Sequence, residues 1–124
     1  MLFRSDDAWA PVLRDLYQKE GMDTSLLLTH PTQSTSTTVV CIDPSGERSF
    51  LHCIGAPKTI HPATFLDRLD VFARTRYLLL GYYSLLPNLE KDLREVFRAI
   101  RQQGCKTALD AAGSGGAMQP LDRI

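Results

Sequence analysis

The chain has 124 residues, of which 44% are apolar and 23% charged. This length and composition suit one compact domain and are unlike those of disordered or disulfide-dense proteins. Basic and acidic residues both number 14, so no net charge favours binding to nucleic acid or to an anionic membrane. No apolar run approaches the roughly 20 residues that cross a bilayer, and no signal-peptide pattern opens the sequence, so we expect a cytoplasmic protein.

The first predicted element is a helix between Ser5 and Gly21. Ser5 or Asp6 is expected to cap its start, and Gly21 suits a left-handed stop. Apolar residues recur at the spacing of one helical face, which predicts a single buried stripe. That stripe consists of Trp9, Val12, Leu13, Leu16 and Tyr17.

Extended structure is predicted next. Leucines fill residues 26–28, and β-branched and aromatic residues occur in 37–40 and 49–52, which indicates strands. The last two strands flank Asp43-Pro44-Ser45-Gly46, a sequence typical of a turn. We therefore predict a β-hairpin.

A βαβ unit is predicted in the second half. Residues 62–69 suit a short helix with proline in its first turn. The apolar run 76–81 predicts a strand buried on both faces, residues 87–104 a helix ended by Gly104, and residues 106–110 a second, parallel strand. The buried stripe of the longer helix is predicted to be Leu89, Leu93, Val96, Phe97 and Ile100.

The cysteine and histidine pattern gives no sign of a metal or disulfide site. Cys41, Cys53 and Cys105 are widely spaced and form no C-x-x-C pair, so we expect three reduced, structural thiols. His30 and His61 stand beside prolines and are predicted to lie in loops. No pattern of zinc ligands is present.

Several strings resemble the ribokinase, or PfkB, family of carbohydrate kinases, and together they cover nearly the whole chain. Residues 6–9 are similar to its helix-opening Gly-x-Asp segment without the glycine, and residues 21–24 to its Gly-hydrophobic-Asp-Thr. The most specific match is to the family's lid: a threonine-rich strand over 35–40, a Gly-Glu-Arg hairpin at 46–48, and a strand ending in Gly55-Ala56. Pro57 stands where the family usually has asparagine. Residues 78–81 and 109–110 resemble two strands of its central sheet.

The resemblance implies an α/β fold: a ribokinase-like three-layer α/β/α segment with a β-hairpin lid, forming a single partial domain over residues 1–124. The lid would cover about residues 24–57, and the sheet portion about 1–23 and 58–124. The implied activity is transfer of the γ-phosphoryl group of ATP, with Mg²⁺, to a sugar hydroxyl. Lids of this family often pair between subunits, so a homodimer is a possible assembly.

The family's early glycine-rich sugar-binding segment and its Gly-Ala-Gly-Asp motif, which carries the catalytic Asp, are not found in the chain. We therefore assign no catalytic residue and expect a fragment that is inactive alone. The alternative is a non-catalytic binding or dimerisation module. A nucleotide-binding domain of another α/β type would need a phosphate loop after its first strand. The glycine-rich residues 113–116 lack the spacing of such a loop and read as a flexible connection.

Three candidate substrate-binding residues lie in the predicted hairpin. Alternation places Thr38 and Val40 on one face of their strand, and Phe50 and His52 on one face of the partner strand. Thr38, Phe50 and His52 are therefore candidates to face the sugar. The alternative is that this face is only packed or solvated.

Three further candidates follow the predicted parallel strands, where α/β folds collect ligand contacts. After the first strand comes Gly81-Tyr82-Tyr83, in which Gly81 and Tyr83 are the candidates. The Tyr83 hydroxyl is expected to bond a sugar hydroxyl, and the alternative is that both tyrosines pack under the lid. After the second comes Asp110, which either approaches a sugar hydroxyl or phosphate-bound Mg²⁺, or bonds backbone amides in the turn at 111–113.

Overall fold

The computed structural model describes residues 2–110. The chain divides into two compact units, residues 1–57 and 58–124. None of the described helices is both long and apolar enough to cross a membrane.

The first unit holds a parallel strand pair, one helix and a hairpin. The parallel pair aligns Leu2 with Leu27 and Ser5 with His30, and the hairpin forms its own antiparallel two-stranded sheet. The predicted hairpin is thus confirmed. The elements are β1 (Leu2–Ser5), α1 (Trp9–Lys19), β2 (Leu27–His30), β3 (Thr37–Ile42) and β4 (Arg48–Cys53).

The predicted start of the first helix is wrong. Ser5 is the last residue of β1, a strand that the sequence analysis missed, and α1 begins only at Trp9. The carboxylate of Asp7 accepts a hydrogen bond from the backbone N–H of Trp9 at 3.1 Å, as an acidic residue at a helix start commonly does. Gly21 has a φ of +69°, as expected of the stop.

The buried stripe predicted for α1 is also wrong. Trp9, Val12 and Leu16 are exposed, and Ala10 is the buried residue of this helix. The periodicity identified the helix correctly. Leu13 and Tyr17 are half-buried, so the described residues cover only part of the apolar face and the rest of the stripe is in contact with solvent.

Asp43 builds the hairpin turn as predicted. One of its carboxylate oxygens accepts hydrogen bonds from the backbone N–H groups of Ser45 and Glu47, at 2.8 and 3.0 Å, and from the Ser45 hydroxyl. This last bond is the main cause that lowers the pKa of Asp43. Gly46 completes the turn with a φ of +89°, a conformation that favours glycine.

The second unit holds the predicted βαβ arrangement. Its two strands are parallel, with Tyr77 opposite Lys106 and Leu80 opposite Leu109. The predicted helix at 62–69 is instead two single turns, and the one predicted at 87–104 begins six residues later, after a series of turns. The elements are α2 (Ala63–Leu66), α3 (Leu69–Phe72), β5 (Tyr77–Leu80), α4 (Leu93–Gln102) and β6 (Lys106–Leu109).

The core of the second unit forms around the apolar stripe of α4. All five residues predicted for the stripe of the longer helix are buried, with at most 5% of their surface exposed. Four of them lie on α4, and Leu89 lies in the turns before it. All five pack with Phe65, Phe72, Leu80, Leu86 and Cys105.

The prediction that β5 is buried on both faces is wrong. Leu80 is buried in the core, whereas Tyr77 and Leu79, on the other face, are 58% and 68% exposed. Within residues 2–110 no layer covers that second face.

The predictions for the cysteines and histidines are confirmed in part. All three thiols are free, but only Cys105 is buried, so a packing role is wrong for the exposed Cys41 and Cys53. His30 ends β2 instead of lying in a loop, and its Nδ1 accepts backbone N–H groups of the next turn. His61 lies outside the helices and strands, as predicted. The glycine-rich residues 113–116 lie outside the described residues.

Candidate functional site

One face of the hairpin carries the predicted substrate group. Thr38 pairs with His52 and Val40 with Phe50 across the two strands, so all four side chains share a face. The Thr38 hydroxyl and His52 Nδ1 are 2.7 Å apart, a hydrogen bond that orients the imidazole. Because Phe50 is 60% exposed, the face presents a polar pair beside an open aromatic ring.

The two ends of the hairpin are joined by close backbone packing. Gly55, just beyond β4, has a φ of +61°, and a Cβ at this position would overlap the carbonyl of Ser34. The next residue, Ala56, is completely buried and donates its backbone N–H to that same carbonyl at 2.7 Å. This contact gives a physical reason for the Gly-Ala pair at the end of the hairpin.

Asp7 ties the start of α1 to the base of the hairpin. Its two carboxylate oxygens accept the backbone N–H of Thr35 at 2.7 Å and the Thr35 hydroxyl at 2.8 Å. The backbone bond is the largest cause that lowers the pKa of Asp7. Sequence reasoning placed Asp7 in the helix-opening segment but could not identify Thr35, 28 residues away, as its partner.

The other three predicted residues meet at the carboxyl ends of β5 and β6. Asp110 donates its backbone N–H to the carbonyl of Leu80 at 2.8 Å, and Tyr83 donates its own to the carbonyl of Asp110 at 3.4 Å. Gly81 lies in the sequence between Leu80 and Tyr83, the two residues that Asp110 contacts. The Asp110 side chain is exposed, and the turn at 111–113 that it was expected to bond lies outside the described residues.

The hydroxyl of Tyr83 already has a partner within the second unit. It donates to the carbonyl of Glu90 at 3.2 Å. Burial, followed by the charge of Glu90, raises the pKa of the phenol. A sugar hydroxyl could therefore use Tyr83 only as an acceptor, or by displacing this bond.

Tyr82 lies in the segment predicted to contact a ligand, but the sequence favours Tyr83 as the contact and predicts at most that Tyr82 packs under the lid. Its backbone is left-handed, with φ +54° and ψ +43°, and its side chain is 64% exposed. The pair of tyrosines after Gly81 was the one sequence signal for an aromatic ligand contact here. The left-handed angle of Tyr82 could not be predicted, because residue types do not reveal backbone angles.

The described residues offer no metal centre. Across residues 2–110, no three His, Cys, Asp or Glu side chains come close enough to hold an ion together. The six predicted residues divide between the units, with Thr38, Phe50 and His52 in the first and Gly81, Tyr83 and Asp110 in the second. Their contact with a ligand stays a prediction.

No protein-family model matches the sequence, and no curated protein matches it. Solved structures do match its fold. Arabidopsis thaliana ribokinase, solved with ribose and ATP, superposes with a TM-score of 0.75 at 18% identity, over 96% of this chain and 38% of its own. Xylella fastidiosa fructokinase with bound ATP superposes with a TM-score of 0.75 at 18% identity, over 98% of this chain and 37% of the fructokinase chain. Giardia lamblia ribokinase superposes with a TM-score of 0.73 at 14% identity, over 92% of this chain and 37% of the ribokinase chain.

These similarities show that the chain has a ribokinase-like α/β fold, which confirms the predicted fold class with its β-hairpin. At such low identity they define the fold alone. The chain spans less than two fifths of the length of each of these three structures.

Proposed function

We propose that this chain is part of an ATP-dependent carbohydrate kinase of the PfkB or ribokinase family. Such an enzyme transfers the γ-phosphoryl group of ATP to a sugar hydroxyl. The observation that carries the proposal is the hairpin face, on which the hydrogen-bonded Thr38 and His52 lie beside the exposed ring of Phe50. Polar groups of this kind bind sugar hydroxyls, and an aromatic ring covers the apolar C–H face of a sugar.

The hairpin would act as a lid over the sugar. Water competes with the sugar hydroxyl as phosphoryl acceptor, so a lid that excludes water favours transfer. An antiparallel hairpin suits this role because one face can cover the ligand while the other stays solvated.

ATP and Mg²⁺ are the implied cofactors. Mg²⁺ would supply positive charge that offsets the negative charge of the phosphoryl group during transfer. The described residues group no set of metal ligands, so we propose that both are bound mainly by other parts of the whole protein. The balanced charge of the chain supports small-molecule partners rather than nucleic acid or membrane.

The 124-residue chain alone is proposed to be inactive. Phosphoryl transfer needs a positioned base and donors aimed at the developing charge, and no residue here has been assigned either role. The chain spans 38% or less of each of the three structures described above. This share supports the proposal that the chain alone is inactive.

The test compares two purified proteins: the 124-residue chain and the longest in-frame native polypeptide that contains it. ADP release is measured with Mg²⁺-ATP and a panel of pentoses and hexoses. We expect sugar-dependent ADP release from the native polypeptide and none from the short chain. Failure of every sugar to stimulate ADP release from the native polypeptide would contradict the kinase proposal.

A second candidate, a non-catalytic dimerisation module, is favoured by the opposite face of the hairpin. There Val39 and Leu51 lie directly across from each other and are 54% and 67% exposed. The hairpin forms a two-stranded sheet, so each strand also has an edge that β3–β4 pairing leaves open, and such edges favour association. Sedimentation equilibrium of the native polypeptide and its Val39→Lys variant tests this. A dimer that this substitution dissociates, in a protein without ADP release, would favour the module.

A further inference from the structure

Tyr82 has a backbone conformation that tyrosine rarely adopts. Among the described residues it is the only non-glycine residue with a positive φ, +54°. The left-handed region is unfavourable for residues with a Cβ, and glycine or asparagine usually occupies it. Strained positions of this kind cluster at ligand sites.

Hydrogen bonds on both sides hold this conformation. Leu85 donates its backbone N–H to the carbonyl of Tyr82 at 2.9 Å, which starts a short 3₁₀ turn. Tyr83 donates its own to the carbonyl of Asp110 at 3.4 Å. These hydrogen bonds fix the backbone just after β5. Tyr82 lies between the fixed positions and takes the left-handed angles that connect them.

The side chain of Tyr82 points into open space. It is 64% exposed, in contrast to Tyr83, which is partly buried and bonded to Glu90. At the preceding Gly81, no other atom lies within 4 Å of the position that a Cβ would take. An aromatic ring at the carboxyl end of a parallel strand, with space beside it, is positioned for a ligand.

We propose that Tyr82 is a substrate-contacting residue whose ring stacks on the apolar face of a sugar. This inference rests on the proposed kinase function and names a residue that positions its substrate. A tyrosine gives a large, rigid apolar face with a polar tip. The exposed carboxylate of Asp110, at the end of the neighbouring strand, would accept hydrogen bonds from sugar hydroxyls.

The experiment uses the native polypeptide and three variants. Tyr82→Gly removes the ring and relieves the left-handed strain, and Tyr82→Phe keeps the ring without its hydroxyl. Tyr77→Ala is the matched control, because Tyr77 is 58% exposed at the opposite end of the same strand. For each protein, kcat and KM are measured with ribose and with fructose, sugar binding is measured by calorimetry, and thermal unfolding is recorded.

We expect Tyr82→Gly to raise KM and the dissociation constant of the preferred sugar about tenfold, with kcat little changed. Its unfolding temperature should not fall, since glycine adopts these angles without steric cost. Tyr82→Phe should retain most of the affinity, and Tyr77→Ala all of it. A merely structural tyrosine would lower the unfolding temperature and leave KM unchanged.

The outcomes separate this inference from the kinase proposal. An active enzyme whose KM is the same in Tyr82→Gly overturns the role of Tyr82 alone. So does a KM that rises equally in Tyr77→Ala. A native polypeptide that binds sugar without ADP release overturns the kinase proposal, yet weaker binding in Tyr82→Gly would still support the sugar contact.

Discussion

Asp7 and Thr35 are joined by two hydrogen bonds, of 2.7 and 2.8 Å, that link the start of α1 to the base of the hairpin. Thr35 is only 3% exposed. A buried polar residue requires partners, and a carboxylate is a strong one. The carboxylate of Asp7 therefore contributes to holding the base of the hairpin beside the start of α1.

Asp7→Asn should destabilise the protein and weaken its response to acid. The Thr35 backbone N–H lowers the pKa of Asp7 in the folded state. A carboxyl group with a lowered folded pKa stabilises the fold above its unfolded pKa, and that stabilisation is lost as the pH falls through the folded value. Urea unfolding at pH 7 and pH 3 checks this. The difference between the two midpoints should be smaller in Asp7→Asn than in the parent.

Asp15→Asn is the control, since Asp15 is exposed on α1. It should leave both midpoints unchanged. Part of the acid response should persist in Asp7→Asn, because hydrogen bonds also lower the pKa values of Asp23 and Asp43. Equal pH dependence in Asp7→Asn and the parent would contradict the role given to this pair.

Gly55→Ala should be much more harmful than Gly46→Ala. Both glycines have positive φ angles, +61° and +89°, but only at Gly55 would a Cβ meet neighbouring backbone. We expect a loss of about 3 kcal/mol in the free energy of unfolding for Gly55→Ala. Gly46→Ala should cost about 1 kcal/mol, for the backbone angle alone. Chemical denaturation measures both, and similar losses would argue against close packing of Gly55 on Ser34.

Leu93→Ala and Leu79→Ala compare the same change in two environments. Leu93 is 1% exposed in the core of the second unit, and Leu79 is 68% exposed on β5. The first should lower the free energy of unfolding by about 3 kcal/mol through lost burial and a cavity. The second should stay within about 0.5 kcal/mol of the parent. A large loss in Leu79→Ala would mean that this face of β5 is covered in solution.

Thr38→Val tests the hairpin face. If this face covers the sugar, loss of the hydroxyl should raise KM for the preferred sugar about fivefold, the effect expected of one hydrogen bond. Ser49→Ala removes a hydroxyl from the opposite face of the hairpin and should leave KM unchanged. Steady-state kinetics of the native polypeptide check both. A rise in KM with Ser49→Ala alone would place the sugar on the other face.

The sequence alone determined the elements whose cause is local. The hairpin followed from β-branched strands around Asp43 and Gly46, because turn chemistry acts within a few residues. The four buried residues of α4 were identified correctly, because helical spacing reports which side chains can share a face. The shared face of Thr38 and His52 likewise follows from alternation once the hairpin is known.

Only the tertiary structure decided what depends on contacts distant in sequence. Periodicity predicted equal burial for the stripes of α1 and α4, yet the stripe of α4 is covered and Trp9 on α1 is exposed. A pattern shows which face can be buried, whereas another part of the chain must be present to bury it. The pairing of Asp7 with Thr35 and the left-handed angles of Tyr82 were hidden for the same reason: each is set by neighbours that the fold supplies.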